Sequence, residues 1–165
     1  MDIESNRDDR ISILFVCLGN ICRSPLAEGI FKDLVAKRGL EDRFEIDSAG
    51  TGSWHVGEPA DARATMVAES HGVTLDSRGR QLTPEDLGRF DYVIAMDRDN
   101  LAEIERLATG SDGGAELHLL RAFDPIGEGD VPDPYYGGAS GFETVYEMVS
   151  RSSIALLDHV LARQS

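Results

Sequence analysis

Ile11-Ser-Ile-Leu-Phe-Val16-Cys17-Leu18-Gly19-Asn20-Ile21-Cys22-Arg23-Ser24-Pro25 is the stretch from which the rest of the chain can be read. Its first six residues are a short apolar run rich in β-branched side chains, the pattern of a strand buried on both faces. Pro25 suits the first turn of a helix. Leu26, Ile30, Leu34 and Val35 then recur at helical spacing until Gly39 closes the element. Between strand and helix lie Gly19 and Asn20, residue types that tolerate positive φ. A loop wound that way turns successive backbone N–H groups inward at a helix N-terminus and forms an anion nest.

Working outward, the same alternation continues. Residues 44–48 read as a second strand, and residues 49–58 as a Gly-rich loop with Trp54 at its tip. Residues 59–71 suit a helix ended by Gly72. Residues 91–95 form a third strand, followed by a charged helix through Arg106, and residues 116–120 a weaker fourth strand. A long loop with three prolines covers 121–138. The last helix shows Phe142, Val145, Tyr146, Val149, Leu156, Leu157, Val160 and Leu161 on one broad face. Strands alternating with helices imply parallel pairing through right-handed crossovers, hence an α/β protein with helices on both sheet faces. Residues 1–10 read as a polar arm and 11–165 as one domain. In such sheets ligands gather outside the carboxyl ends of the strands, which singles out the loop after the first strand.

Composition removes several classes. The chain has 165 residues with 30 Asp plus Glu against 16 Lys plus Arg, a formal net charge of -14. Non-specific binding to nucleic acid or to an anionic membrane needs a positive patch, so neither is expected. No apolar run approaches the roughly 20 residues that span a bilayer. The acidic start lacks a signal-peptide pattern, and a cytoplasmic protein is expected. Two cysteines, Cys17 and Cys22, with four scattered histidines make neither a disulfide scaffold nor a metal-ligand spacing, so no metal or cofactor is expected.

The two cysteines therefore either pack inertly or do chemistry. A bare Cys-x5-Arg match is weak, but this one follows a buried strand, encloses Gly19 and Asn20, and ends at a helix start. Arg23 adds a planar fork able to hold two phosphate oxygens at once. The positive field of the nest favours Cys17 as thiolate, and a thiolate beneath a bound phosphate is an in-line nucleophile for phosphoryl transfer. The Ser24 hydroxyl is placed to stabilise that sulfur.

At this point the chain resembles the low-molecular-weight protein tyrosine phosphatase family. Residues 16–28, from Val16 to Glu28, match its signature at nearly every position. Further matches are Asp47-Ser48-Ala49-Gly50-Thr51, Trp54-His55-Val56-Gly57, Phe90-Asp91-Tyr92-Val93 with Met96-Asp97, and Asp133-Pro134-Tyr135-Tyr136-Gly137. The resemblance implies a three-layer fold with a four-stranded parallel sheet in the order 2-1-3-4. It implies Cys17 as nucleophile, Arg23 as phosphate clamp, and Leu18, Gly19, Asn20, Ile21, Cys22 and Ser24 as the phosphate loop. It also implies that a left-handed Asn20, with Ser24, Ser48 and His71, braces the loop. Cys22 is either filler or, as in this family, the partner in a reversible disulfide that protects Cys17. Tyrosine-phosphorylated proteins are the implied substrates, with a monomer favoured.

Expelling a phenol of pKa about 10 calls for a positioned acid. Two Asp-Pro pairs lie in the long loop, Asp124-Pro125 and Asp133-Pro134, and the residues alone permit either. Asp133 precedes Tyr135 and Tyr136, which can supply an aromatic wall, and the family pattern also selects it; Asp124 is left as a turn residue. Trp54 with Tyr135 and Tyr136 would wall a slot that fits an aryl phosphate and is too deep for phosphoserine. Arsenate reductases of this fold need cysteines downstream of Cys22, and there are none. Protein-arginine phosphatases carry Thr where this chain has Ile21, so phosphotyrosine leads and phosphoarginine is the alternative. An idle phosphate-binding module would be expected to lack Cys17, Arg23 or Asp133, and all three are present. The net charge opposes steering of anionic substrates and favours basic residues beside the phosphotyrosine.

Overall fold

The computed structural model describes residues 10–109, 114–134 and 139–164. Nearly all of the expected N-terminal arm, and with it Tyr135 and Tyr136, lies outside these described residues. Strand β1 (Ile11–Cys17) leads through the loop into helix α1 (Arg23–Lys37), and β2 (Phe44–Gly50) follows. Then come α2 (Ala62–Ser70), α3 (Asp86–Arg89), β3 (Tyr92–Ala95), α4 (Arg98–Ala108), β4 (Glu116–Leu119) and α5 (Ala139–Gln164). The four strands form one parallel sheet in the order β2-β1-β3-β4, as the resemblance implied.

The side-chain period of β1 builds both layers. Ile11, Ile13, Phe15 and Cys17 face one core, shared with Leu26, Ile30 and Phe31 of α1, Ala64 and Ala68 of α2, and Phe142, Val149 and Leu156 of α5. Leu14 and Val16 face the opposite core with Leu87 of α3 and Ile104 of α4. A strand apolar at every position but one is therefore the central layer of three. The chain leaves β1 for β2 on one side and reaches β3 on the other. The carboxyl end of β1 is thus a topological switch point, where loops splay and leave a crevice.

Local chemistry moves several boundaries from the sequence expectation. Helix α1 begins at Arg23, so Pro25 occupies its third position, where a missing N–H still costs no helical bond. Helix α2 begins at Ala62 because the Asp61 carboxylate accepts from Arg63 N at 2.8 Å and caps it. Pro59, expected inside that helix, instead forms an isolated antiparallel bridge with Arg78. The short α3 was not expected, and β4 runs into a 3-10 turn at Leu120–Phe123.

Candidate active site

Cys17 ends β1 and Arg23 opens α1, so the loop between them spans the distance from a strand's carboxyl end to a helix N-terminus. Asn20 turns it, at φ 57, the left-handed conformation that asparagine tolerates. That turn aims the Asn20 backbone N–H at Cys17 Sγ, 3.3 Å away. The two residues just past β2 seat the loop: Thr51 N donates to Cys17 O and Gly52 N to Leu18 O, each at 2.9 Å. Gly50 permits this close approach, since a Cβ there would stand 2.8 Å from Leu18 O.

The Asn20 side chain holds the turn in place. Its Nδ2 donates to Ser24 Oγ at 2.8 Å and to Ser48 Oγ at 3.0 Å, while its Oδ1 accepts from Arg80 N at 3.0 Å. Ser24 Oγ also lies 3.0 Å from Cys17 Sγ and 3.5 Å from Ala49 O. Toward a Cys17 thiolate, which can only accept, the Ser24 hydroxyl is the donor. Ser48 Oγ donates a hydrogen bond to the buried Glu28 carboxylate at 2.5 Å, and Lys32 Nζ donates to the other Glu28 oxygen at 2.6 Å. From Asn20 through Ser48 and Glu28 to Lys32 each polar group is satisfied by the next, which makes the loop rigid.

Arg23 is only 3% exposed, and its guanidinium is fixed on one side by Asp97 and by Val131 O. Nη1 donates to Asp97 Oδ2 at 2.6 Å and to the Val131 carbonyl at 3.0 Å. Asp97 is itself held, because Oδ1 accepts from Asn100 N at 2.7 Å and caps α4. Burial works against the Arg23 cation, yet negative charge at Cys17 and the bond and charge of Asp97 outweigh it and raise its pKa. Burial, with Asp61 and then Cys17 nearby, pushes the Cys22 thiol up to about 12.

A cavity of about 460 Å³ is lined by Cys17, Leu18, Ile21, Cys22, Arg23, Trp54, His55 and Asp133, with Gly19 at its floor. Trp54 is 70% exposed and stands at its rim. The ring lies across Gly52, where a Cβ would come within 1.8 Å of it. Asp133 reaches into the cavity with Oδ2 3.9 Å from Arg23 Nη2. Asp124 has a different place. Its buried carboxylate accepts from Arg121 Nε and Arg151 Nε at 2.9 Å each, and from Ile126 N at 2.9 Å. Burial opposes that charge, but the bond from Arg151, with those from Ile126 N and Arg121, brings its pKa below the ordinary carboxylate value. Asp124 is more than a turn residue: it is a buried ionic node tying the long loop to α5.

The structure thus gathers Cys17, Leu18, Gly19, Ile21, Cys22, Arg23, Trp54 and Asp133 around one cavity, with Asn20, Ser24 and Ser48 behind it. His71 is corrected. It caps the end of α2, where Nε2 lies 2.7 Å from Glu143 Oε1 and the ring stacks on Tyr146 at 4.0 Å. It joins α2 to α5, and the position expected of it beside Asn20 is taken by Arg80. The Arg80 guanidinium is clamped by Asp47 at 3.0 Å and by both oxygens of Asp86 at 3.1 and 3.2 Å. Residue patterning gives no role to Glu28, Asp97 or Arg80, which support the loop and the guanidinium of Arg23. A carboxylate inside the apolar run of α1 and an aspartate just past the end of β3 were visible signals for the first two. For Arg80 there was none.

A doubly wound α/β sheet whose first strand delivers a buried cysteine into a strand-to-helix anion nest, closed by an arginine, defines a class of cysteine-centred phosphate sites. The family model described as low molecular weight phosphotyrosine protein phosphatase matches residues 12–165, and the chain belongs to that family. A low molecular weight protein-tyrosine-phosphatase of Streptomyces coelicolor is 48% identical over 148 residues, 88% of this chain and 90% of that protein. A crystal structure of a protein tyrosine phosphatase from Entamoeba histolytica superposes with a TM-score of 0.89 at 36% identity, covering 94% of this chain and 99% of that one. A structure described as Drosophila arginine phosphatase superposes with a TM-score of 0.85 at 38% identity, covering 90% and 96%.

Proposed function

We propose that this protein hydrolyses phosphotyrosine in proteins through a cysteinyl-phosphate intermediate. The observation that carries the reading is the convergence on Cys17 Sγ of two hydrogen-bond donors, Ser24 Oγ and Asn20 N, in a cavity shared with Arg23 and Asp133. The loop N–H groups and the free edge of the Arg23 fork bind the phosphate oxygens and neutralise charge in the transition state. The Cys17 thiolate attacks phosphorus; the S–P bond forms, the P–O bond to tyrosine breaks, and the leaving oxygen takes a proton from Asp133. Asp133, now a carboxylate, accepts a proton from water as its oxygen attacks phosphorus. The S–P bond then breaks, the thiolate is received by the Ser24 hydroxyl, and inorganic phosphate leaves.

Rapid acid quenching during turnover of labelled phosphotyrosine tests this directly. The expected result is one trapped phosphocysteine, absent in Cys17→Ser, while that variant still binds vanadate through the backbone nest. Substantial turnover by Cys17→Ser would remove Cys17 from the role.

Phosphoarginine is the second reading, favoured by the likeness to the Drosophila protein. Ile21 lines the pocket and offers no hydroxyl to a phosphoguanidinium, which favours phosphotyrosine. Comparing kcat/KM for the two substrates decides between them, with phosphotyrosine expected to lead and Ile21→Thr expected to raise phosphoarginine turnover.

A further inference from the structure

A second cavity, of about 290 Å³, adjoins the catalytic one. Leu18 and Trp54 line both, so they form the partition between them. The far wall is the start of α4, which contributes Asp99, Asn100 and Glu103. Phosphate capture and proton transfer use none of these three side chains.

Their chemistry is one-sided. The exposed Asp99 carboxylate has no hydrogen bond or ion pair among the described residues. Glu103 is paired with Arg106 one turn along the helix, an exposed contact that a competing cation can share. Asn100 is 3% exposed, and its side-chain carbonyl is buried with no hydrogen-bond partner among the described residues. A buried acceptor left unmet costs free energy that a donor brought by a ligand would recover. Arg98, which opens α4, is turned to Asp130, 3.9 Å from its carboxylate. Two carboxylates, an unmet acceptor and the open face of Trp54 together describe a receptor for a donor-rich cation with an apolar stem.

We propose that this cavity is a subsite for the lysine or arginine side chain of a residue close to phosphotyrosine in the protein substrate, with Asp99 and Glu103 as the residues that select it. The proposal rests on the phosphotyrosine reading above. A long cationic side chain would lie along Leu18 and Trp54 and bring its head to the α4 carboxylates while the phosphate occupies the nest. The selection is local: the acidic field of the whole surface favours any cation alike, whereas these two carboxylates favour one at a fixed place beside the phosphate nest.

The test uses phosphotyrosyl peptides carrying one lysine, or alanine in its place, within two residues on either side of the phosphotyrosine. The quantity read is the lysine-to-alanine ratio of kcat/KM within each protein. In the parent the best lysine position should give a ratio of about three to ten, the range of solvent-exposed charge pairs acting together. Asp99→Asn with Glu103→Gln should bring it to about one, and Arg106→Gln, which releases Glu103, should raise it. Glu41→Gln with Asp42→Asn makes the same change in net charge at the opposite edge of the sheet and should keep the parent ratio. A ratio of one at every position in the parent, or a ratio that survives the Asp99 and Glu103 changes, overturns the subsite alone. Inert phosphotyrosyl peptides alongside turnover of phosphoarginine would overturn the substrate reading and the subsite together.

Discussion

Arg23 Nη1 is spent on Asp97 and Val131 O, which leaves the rest of the guanidinium for the cavity. On the proposed reading Asp97 aims the phosphate clamp with one oxygen; with the other it caps α4, and the two duties separate by substitution. Asp97→Asn keeps an oxygen for the cap but loses the charged bond to Arg23. It should lower kcat/KM about tenfold to a hundredfold with a nearly unchanged melting temperature, because misplacing a phosphate clamp by a fraction of an ångström costs that order of rate. Asp97→Ala should lose the same activity and in addition about 1 kcal/mol of stability from the missing cap. Kinetics and thermal melts on both variants check the division. Cys22 makes a prediction about pH. Its thiol titrates near 12 in the folded protein, against 9.0 as the reference for an exposed thiol, so between these values the folded state holds a proton that the unfolded state has lost. Stability from this group is complete below pH 9 and falls as pH rises toward 12. The parent should therefore lose melting temperature more steeply than Cys22→Ser between pH 9 and pH 11, and equal slopes would contradict the buried-thiol assignment.

At the scale of elements, the long segment between β4 and α5 carries two aspartates with opposite duties. Asp124 binds Arg121 and Arg151 and holds the segment to α5; Asp133 faces the cavity beside Arg23. Asp124→Asn should therefore destabilise the fold by about 3 kcal/mol, the cost of breaking a buried ion pair, while leaving the dependence of phosphorylation rate on phenol pKa as in the parent. Asp133→Ala should do the reverse. Aryl phosphates with acidic phenols leave unaided and phosphotyrosine does not, so its loss should steepen that dependence and slow phosphotyrosine by roughly 100- to 10,000-fold. Single-turnover rapid mixing across a series of phenols reads both. A steeper slope in Asp124→Asn with a flat one in Asp133→Ala would exchange the assignments.

At the scale of the molecule, a net charge of -14 surrounds a site built to bind a dianion. The nest, the α1 N-terminus and Arg23 supply attraction over a few ångströms, whereas the surface repels over the Debye length, about 30 Å at 0.01 M salt and 10 Å at 0.1 M. Raising the salt across that range, with an anion that does not enter the nest, should therefore increase kcat/KM for phosphotyrosyl peptides flanked by acidic residues. The increase should be smaller for lysine-flanked ones. A fall with salt for the acidic peptides would mean that the positive site governs encounter. Among the described residues no helix is long and apolar enough to cross a membrane.

What is encoded within one turn or one pleat is legible along the chain. The apolar period of residues 11–16 specifies a central strand, Asn20 supplies the left-handed turn, and Cys17, Arg23 and Ser24 are set around that turn by their spacing alone. Parallel pairing follows from the strand–helix alternation. What supports the turn emerges only when distant segments pack together. Arg80 reaches Asn20 across 60 positions and Ser48 reaches Glu28 across 20, and Val131 O meets Arg23 across 108. The same holds for the two Asp-Pro pairs, which are alike locally and differ in which guanidinium each meets, and for His71, whose place was taken by Arg80. These contacts exist because the β2-β1-β3-β4 order brings the carboxyl ends of three strands together, and burial there favours pairing of these polar atoms wherever in the chain the partner lies.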